Sequence, residues 1–179
     1  LAEEAVNIKE EAEFYELIGL AYNGLIKLDD GLKNLEKARR LNPKRDTVYR
    51  NIAKTLMGLG GIENHEKALK EYTNAINIDP KPHWYFERSI VYLRLKQKEK
   101  AMKDINIAIK KDPYNPMFLT RKGDIYATFG KFDEAIEMYD KALESDPINK
   151  DIYNKKEGAI LAKEKQFGIK KISEKGMYG

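Results

Sequence analysis

Four prolines set the rhythm of this chain of 179 residues. Asn42-Pro43, Asp79-Pro80, Asp112-Pro113 and Asp146-Pro147 each close an apolar-periodic stretch, and the last three prolines lie 33 and 34 residues apart. A period of that length constrains the fold more than any composition does. It marks an array of supersecondary units, each of which buries its apolar face only by stacking on its neighbours. Such an array offers a long surface for holding another molecule rather than a catalytic pocket.

Aligned on proline, the stretches share small residues at fixed places. Gly19, Ser89 and Gly123 stand 24 residues before a proline, Gly31, Ala68, Ala101 and Ala135 stand 12 before, and Ala38, Ala75, Ala108 and Ala142 stand 5 before. Between them recur large apolar residues: Tyr15, Tyr85 and Leu119, then Tyr22, Tyr92 and Tyr126, then Leu35, Tyr72, Ile105 and Tyr139. Within each stretch the apolar residues fall at helix period. Two antiparallel helices approach closely only where a small residue leaves room for a large one opposite, as interior packing density demands. Phe129-Gly130-Lys131-Phe132 and Gly60-Gly61-Ile62 mark turns between helices. The Asn-Pro and Asp-Pro steps end each second helix, because proline disfavours helical geometry in the residue before it.

This pattern resembles the tetratricopeptide repeat. The fullest unit reads Leu119, Gly123, Tyr126, Gly130, Phe132, Ala135, Tyr139, Ala142 and Pro147, with Lys122 at an apolar place. The first unit carries Tyr15, Ile18, Gly19, Tyr22, Gly31, Leu35, Ala38 and Pro43, and the third has Arg88 at an apolar place. The second runs 27 residues from Ala53 to Pro80, three more than the others, a surplus assigned to a longer turn over residues 58–64. The resemblance implies an all-α fold, a right-handed α-solenoid of stacked antiparallel helix hairpins. The expected organisation is residues 1–11 as the end of a preceding helix, units at 12–45, 46–81 (with the long turn), 82–115 and 116–149, and a degenerate fifth unit or capping helix at 150–179. Phe167, Ile169 and Ile172 are spaced for a short closing helix, and further repeats are expected in a longer chain.

Composition excludes several classes. There are no cysteines, hence no disulfide framework and no thiolate site. No apolar run approaches the ~18 residues of a membrane span, and no basic-then-apolar leader is present, so the expectation is a cytoplasmic protein without a membrane partner. The net charge of +4 divides unevenly: residues 1–80 carry 12 Lys/Arg against 14 Asp/Glu, and residues 81–179 carry 21 against 15. The basic stretch Arg94-Leu95-Lys96-Gln97-Lys98-Glu99-Lys100 falls at a turn and is interleaved with Glu. A nucleic-acid footprint needs basic residues clustered along one face, so nucleic acid is disfavoured as a partner.

Chemistry is sparse. His65 and His83 stand in different units without companion ligands, so no metal site is expected. Gly58-Leu59-Gly60-Gly61 lacks the preceding strand and the following Lys-Ser/Thr of a phosphate loop. Ser89 sits at a small-residue place with no base beside it. Asp29-Asp30 and Asp133-Glu134 fall where a second helix starts, as caps and as partners of the positive helix end. No catalytic residue and no cofactor is assigned, and the chain is expected not to be an enzyme.

The resemblance also implies that the first helix of each unit lines the inner surface. The places that carry ligand contacts then hold Glu13, Glu16, Leu20 and Asn23; Thr47, Arg50, Lys54 and Met57; His83, Phe86, Ile90 and Leu93; and Met117, Thr120, Asp124 and Ala127. Spacings of three and four put each set on one stripe of its helix. The third stripe is apolar where solvent would favour polar side chains, and such a patch marks an interaction site. The candidate groove is Arg50, Lys54, Met57, Phe86, Ile90, Leu93, Met117 and Arg121, binding a peptide or partner helix. The carboxylate clamp that some family members use for chaperone tails is absent. Its places hold Arg50, Lys54, Glu87, Met117 and Arg121, or, one unit earlier, Glu16, Leu20, Asn51, His83 and Glu87. The leading expectation is a protein–protein interaction scaffold; the alternatives are a helical-repeat RNA-binding module and the regulatory arm of a larger enzyme.

Overall fold

The computed structural model describes the backbone of residues 2–176 and the side chains of residue 4 and residues 7–168. Nine helices and no strand occur among the described residues: α1 (Ala2–Gly24), α2 (Leu28–Leu41), α3 (Asp46–Leu59), α4 (Ile62–Ile78), α5 (Pro82–Arg94), α6 (Lys98–Lys111), α7 (Pro116–Thr128), α8 (Phe132–Ser145) and α9 (Lys150–Gly176). The fold class is the expected one, an all-α helical repeat of the solenoid class. The backbone divides into two compact units, Leu1–Gln97 and Lys98–Gly179.

Local chemistry sets the helix ends. Asn42, Asp79 and Asp146 leave helical geometry at φ −134°, −146° and −139°, which is the restriction their following prolines impose. Pro82 and Pro116 open α5 and α7, where the missing N–H costs no helical bond. The acidic pairs act differently from the expectation. Asp29 and Asp30 in α2, and Asp133 and Glu134 in α8, lie inside the first turn, and the N-cap residues Lys27 and Lys131 make no side-chain cap bond. Their contribution is charge at the positive helix end.

In the first unit α1 packs on α2, α3 on α4, α2 on α3 and α4 on α5. The core joins Leu35, Ala38, Val48, Ile52, Leu56, Ala68, Tyr72 and Val91. In the second unit α7 pairs with α8, α6 lies on α7 and α9 on α8, around Leu119, Ala135, Tyr139, Ala142, Leu143, Ile152 and Ala159. The repeated small residues sit where the helices come closest. A Cβ on Gly123 would lie 2.6 Å from the Tyr139 ring, and one on Gly19 would lie 2.7 Å from the Leu35 side chain. Arg88, at an apolar place in α5, is accommodated between the rings of Tyr85 and Tyr92, each 5.7 Å away, and donates to Thr73 Oγ1 at 3.1 Å.

Three expectations meet a different structure. The surplus of the second repeat, residues 46–81, is not in a turn: α3 ends at Leu59 and α4 starts at Ile62, so the extra three residues extend α4 to 17 against 14 in α2, α6 and α8. An added helical turn keeps three backbone hydrogen bonds that a loop would lose. Residues 2–11 are not the end of a separate helix but the first part of α1, which continues unbroken to Gly24. At the other end α9 continues unbroken through the segment expected to form a short closing helix; the side chains of Ile169 and Ile172 lie outside the described residues.

The turns inside the hairpins place a residue in the left-handed region at equivalent sites: Gly130 at φ 71°, Lys96 at 58° and Ile26 at 61°. Only glycine takes that geometry without strain, and Ile26 is β-branched and exposed. Ile26→Asn is therefore expected to raise stability by about 1 kcal/mol, read by urea unfolding. Conversely Ala68 and Ala142 are fully buried, so Ala68→Leu and Ala142→Leu each overpack a hairpin and cost about 1–3 kcal/mol. Unchanged melts for both alanine variants would mean that the register of the small residues is misread.

Candidate partner-binding face

The first helices of the first unit, α1, α3 and α5, are joined by polar side chains roughly one repeat apart. Glu16 of α1 is 5% exposed; its Oε1 accepts from Asn51 Nδ2 at 2.8 Å and its Oε2 from Arg45 Nε at 2.5 Å. Glu13 takes Arg45 Nη1 at 2.9 Å, and Asn23 Nδ2 donates to Thr55 Oγ1 at 2.7 Å. From α3, Asp46 Oδ2 accepts from Lys81 Nζ at 2.6 Å and from the Trp84 indole N–H at 3.0 Å, and Arg50 pairs with Glu87 of α5 at 2.6 Å. All but the neutral Asn23–Thr55 bond are charge-assisted and therefore stronger than neutral ones.

Electrostatics follow from that ladder. At Asp46 burial opposes the charged form, but hydrogen bonds from Lys81 and Trp84 outweigh it, and the carboxyl is held below its ordinary value. The hydrogen bond from Arg50 to Glu87 outweighs burial and holds the guanidinium more firmly protonated than usual. Burial, with Glu87 beside it, pushes the Tyr72 phenol far up, and burial beside Asp124 does the same to Tyr139.

The expected contact stripes therefore divide into two kinds. Glu16 and Thr120 are buried, Thr120 with its hydroxyl on the Pro116 carbonyl. Asp124 accepts from Tyr139 and Lys155 at 3.0 Å and from Arg121 at 3.1 Å, so Arg121 is engaged within the second unit. Met57 is half-buried against the core of the first. Arg50 is committed to Glu87. Lys54 and Leu20 of the first unit are exposed beside a cleft of about 200 Å³, and the row Phe86, Ile90 and Leu93 on α5 is half-buried. In the second unit Met117 is 49% exposed. Of the basic turn, Lys98 donates to the Thr128 carbonyl and lies 5.5 Å from the Phe129 ring. Lys98 thus serves the C-terminal end of α7, where a cation is favoured.

Reading each stripe from its own helix misses the ladder. The signal was present: Glu16 and Asn51, Asn23 and Thr55, and Arg50 and Glu87 stand 35, 32 and 37 residues apart, complementary groups about one repeat away from each other. His65 and His83 lie on α4 and α5, and among the described residues no group of three or more His, Cys, Asp or Glu could hold a metal ion. No helix among them is long and apolar enough to cross a membrane.

Asp46 gives the face a measurable pH dependence. A carboxyl depressed on folding contributes stability that is complete above its unfolded value, near 3.8, and fades as pH falls through the lower folded value. Asp46→Asn is expected to cost about 1 kcal/mol at neutral pH, limited by the solvent access of Lys81. The difference from wild type should close as pH falls below the ordinary carboxyl range, read by thermal melts across an acid series.

Residues 118–149 match the family described as Tetratricopeptide repeat. The chain is 33% identical over 91 residues to Hsp70-Hsp90 organizing protein 2 of Arabidopsis thaliana, covering 50% of this chain and 16% of that protein. The chain therefore spans about a sixth of the length of that curated relative. Among solved structures, the MamA protein is similar at TM-score 0.73 and 20% identity, covering 86% of this chain and 83% of that one. The first TPR of Spaghetti (RPAP3), bound to the HSP90 peptide SRMEEVD, is similar at TM-score 0.61 and 23% identity, covering 66% and 95%. Identities at this level carry the fold.

Proposed function

This chain belongs to the tetratricopeptide-repeat family, and on that premise we propose that it is a protein-interaction scaffold whose first-helix face takes an apolar segment of a peptide or partner helix. The observation that carries the reading is the row Phe86, Ile90 and Leu93, apolar side chains along about two turns of α5 that the hairpin leaves only half-buried. Spacings of four and three suit the anchors of an extended or helical ligand. Exposed Leu20 extends apolar character on α1 of the same unit. A similar protein whose name ties it to Hsp70 and Hsp90, and a similar fold solved with a bound peptide, support a protein or peptide as the kind of partner.

Apolar anchoring supplies the affinity in this reading. The ladder leaves few charges free, so electrostatics contribute orientation and encounter rate. Phe86→Ala and Ile90→Ser should each weaken binding of a captured peptide tenfold or more, in keeping with the ~2 kcal/mol of an interface anchor, while the melt stays nearly unchanged. The measurement is selection from a peptide library followed by titration of the selected peptide. Lys96→Glu serves as the control and should alter salt dependence and on-rate more than bound lifetime. Loss of helicity in the Phe86 variant would make that residue core and end the reading. Loss of binding in the charge-reversed variant alone would move the partner to the basic turn.

A further inference from the structure

The Arg50 guanidinium already has an occupant. Glu87 reaches from α5 to α3 and takes Arg50 Nη2 at 2.6 Å with one carboxylate oxygen and Nε at 2.9 Å with the other. That is the two-pronged geometry in which a guanidinium receives any carboxylate. The seat is rigid. The Tyr72 phenol of α4 lies beside Glu87, the Trp84 ring lies 5.5 Å from the guanidinium, and Arg50 Nη1 reaches Asn51 Oδ1 at 3.3 Å. The acid lies deeper than the base, with side chains 13% and 29% exposed. One turn further along α3 the exposed Lys54 ammonium forms no ion pair among the described residues. Without Glu87 this part of the face would present two adjacent cations; with it, the more enclosed of them is neutralised.

We propose that Glu87 is a built-in tenant of the carboxylate seat on Arg50, and that it excludes acid-bearing peptides from this face and reserves it for apolar segments with no carboxylate at that point. The inference rests on the first-helix face being the docking face. An incoming carboxylate has to displace a group held at high effective concentration by the fold. It also leaves Glu87 partly buried beside a like charge, the arrangement that most strongly disfavours a wrong partner. An apolar segment meets neither obstacle.

The test uses the acidic peptide SRMEEVD and its neutral counterpart, with amides replacing the side-chain carboxylates and the C-terminus. Both are titrated calorimetrically into wild type, Glu87→Gln and the double variant Glu87→Gln, Arg50→Gln. Glutamine can keep a hydrogen bond to Arg50 while removing the charge, and a thermal melt checks the fold. The expected result is that Glu87→Gln binds the acidic peptide at least tenfold tighter than wild type does. That gain should fade with added salt and vanish in the double variant. Equal affinity of wild type and Glu87→Gln for the acidic peptide would overturn the proposal, as would a gain that survives loss of Arg50. Should Glu87→Gln fail to fold, wild type alone decides: it must take the neutral peptide at least tenfold tighter than the acidic one, and no such preference overturns the proposal. Library-selected apolar peptides separate the two readings. If they bind through Phe86 and Ile90 while the charge preference fails, only the role of Glu87 falls; if they do not bind, the docking face falls with it.

Discussion

A glycine hydrogen against the face of a tyrosine ring sets the distance between α7 and α8, and the same trade of small for large spaces α1 from α2. Everything else in each hairpin depends on that approach. At 2.6 Å and 2.7 Å from the opposing side chain there is no room for even a methyl group, so the helices are held closer than ordinary side chains allow and their remaining apolar residues interdigitate at interior density. The second helix of one hairpin then packs on the first helix of the next, as α2 does on α3 and α4 on α5. Stability comes from these nearest-neighbour contacts added along the array.

A second layer of specification is polar. Hairpins that stack through apolar contacts alone slide easily along one another, because such contacts are non-directional. Hydrogen bonds between first helices have one correct register: Asn51 on Glu16, Thr55 on Asn23, Trp84 on Asp46 and Glu87 on Arg50. The cost is functional. Side chains that would otherwise meet a ligand are spent on the neighbouring helix, so the face that remains is more apolar than its residue types suggest.

The hairpin repeat was legible in the sequence because proline and alanine act locally and at fixed spacing. Pro43, Pro80 and Pro147 end helices by their own geometry, and Ala68 or Ala142 is small whatever surrounds it. Other features depend on neighbours that one stripe does not reveal. Glu16 reads as a solvent-facing acid on its own helix, and it is buried because Arg45, at the N-cap of α3, and Asn51 of the next repeat reach it. The three surplus residues near Gly60 read as loop because glycines punctuate turns, yet a two-glycine turn suffices and the surplus became helix. Residues 2–11 carry their own helical pattern, and nothing in that pattern marks whether the helix breaks before residue 12.

The polar rungs also decide how far these repeats behave as interchangeable parts. Consensus repeats can be added, removed or reordered, since each copy offers its neighbours the same surfaces. Here each seam is written by a different pair of residues. In the repeat alignment Glu16 and Arg50 hold one place in their units, and Asn51 and Glu87 hold the place they each meet in the following unit. Excising residues 46–81 would bring the first unit directly onto α5 and set the Glu16 carboxylate against that of Glu87. Two acids would share a partly buried seam, with Arg45 alone to hold them. The order of the repeats is thus enforced by charge, and this array has a grammar that its periodic outline does not display.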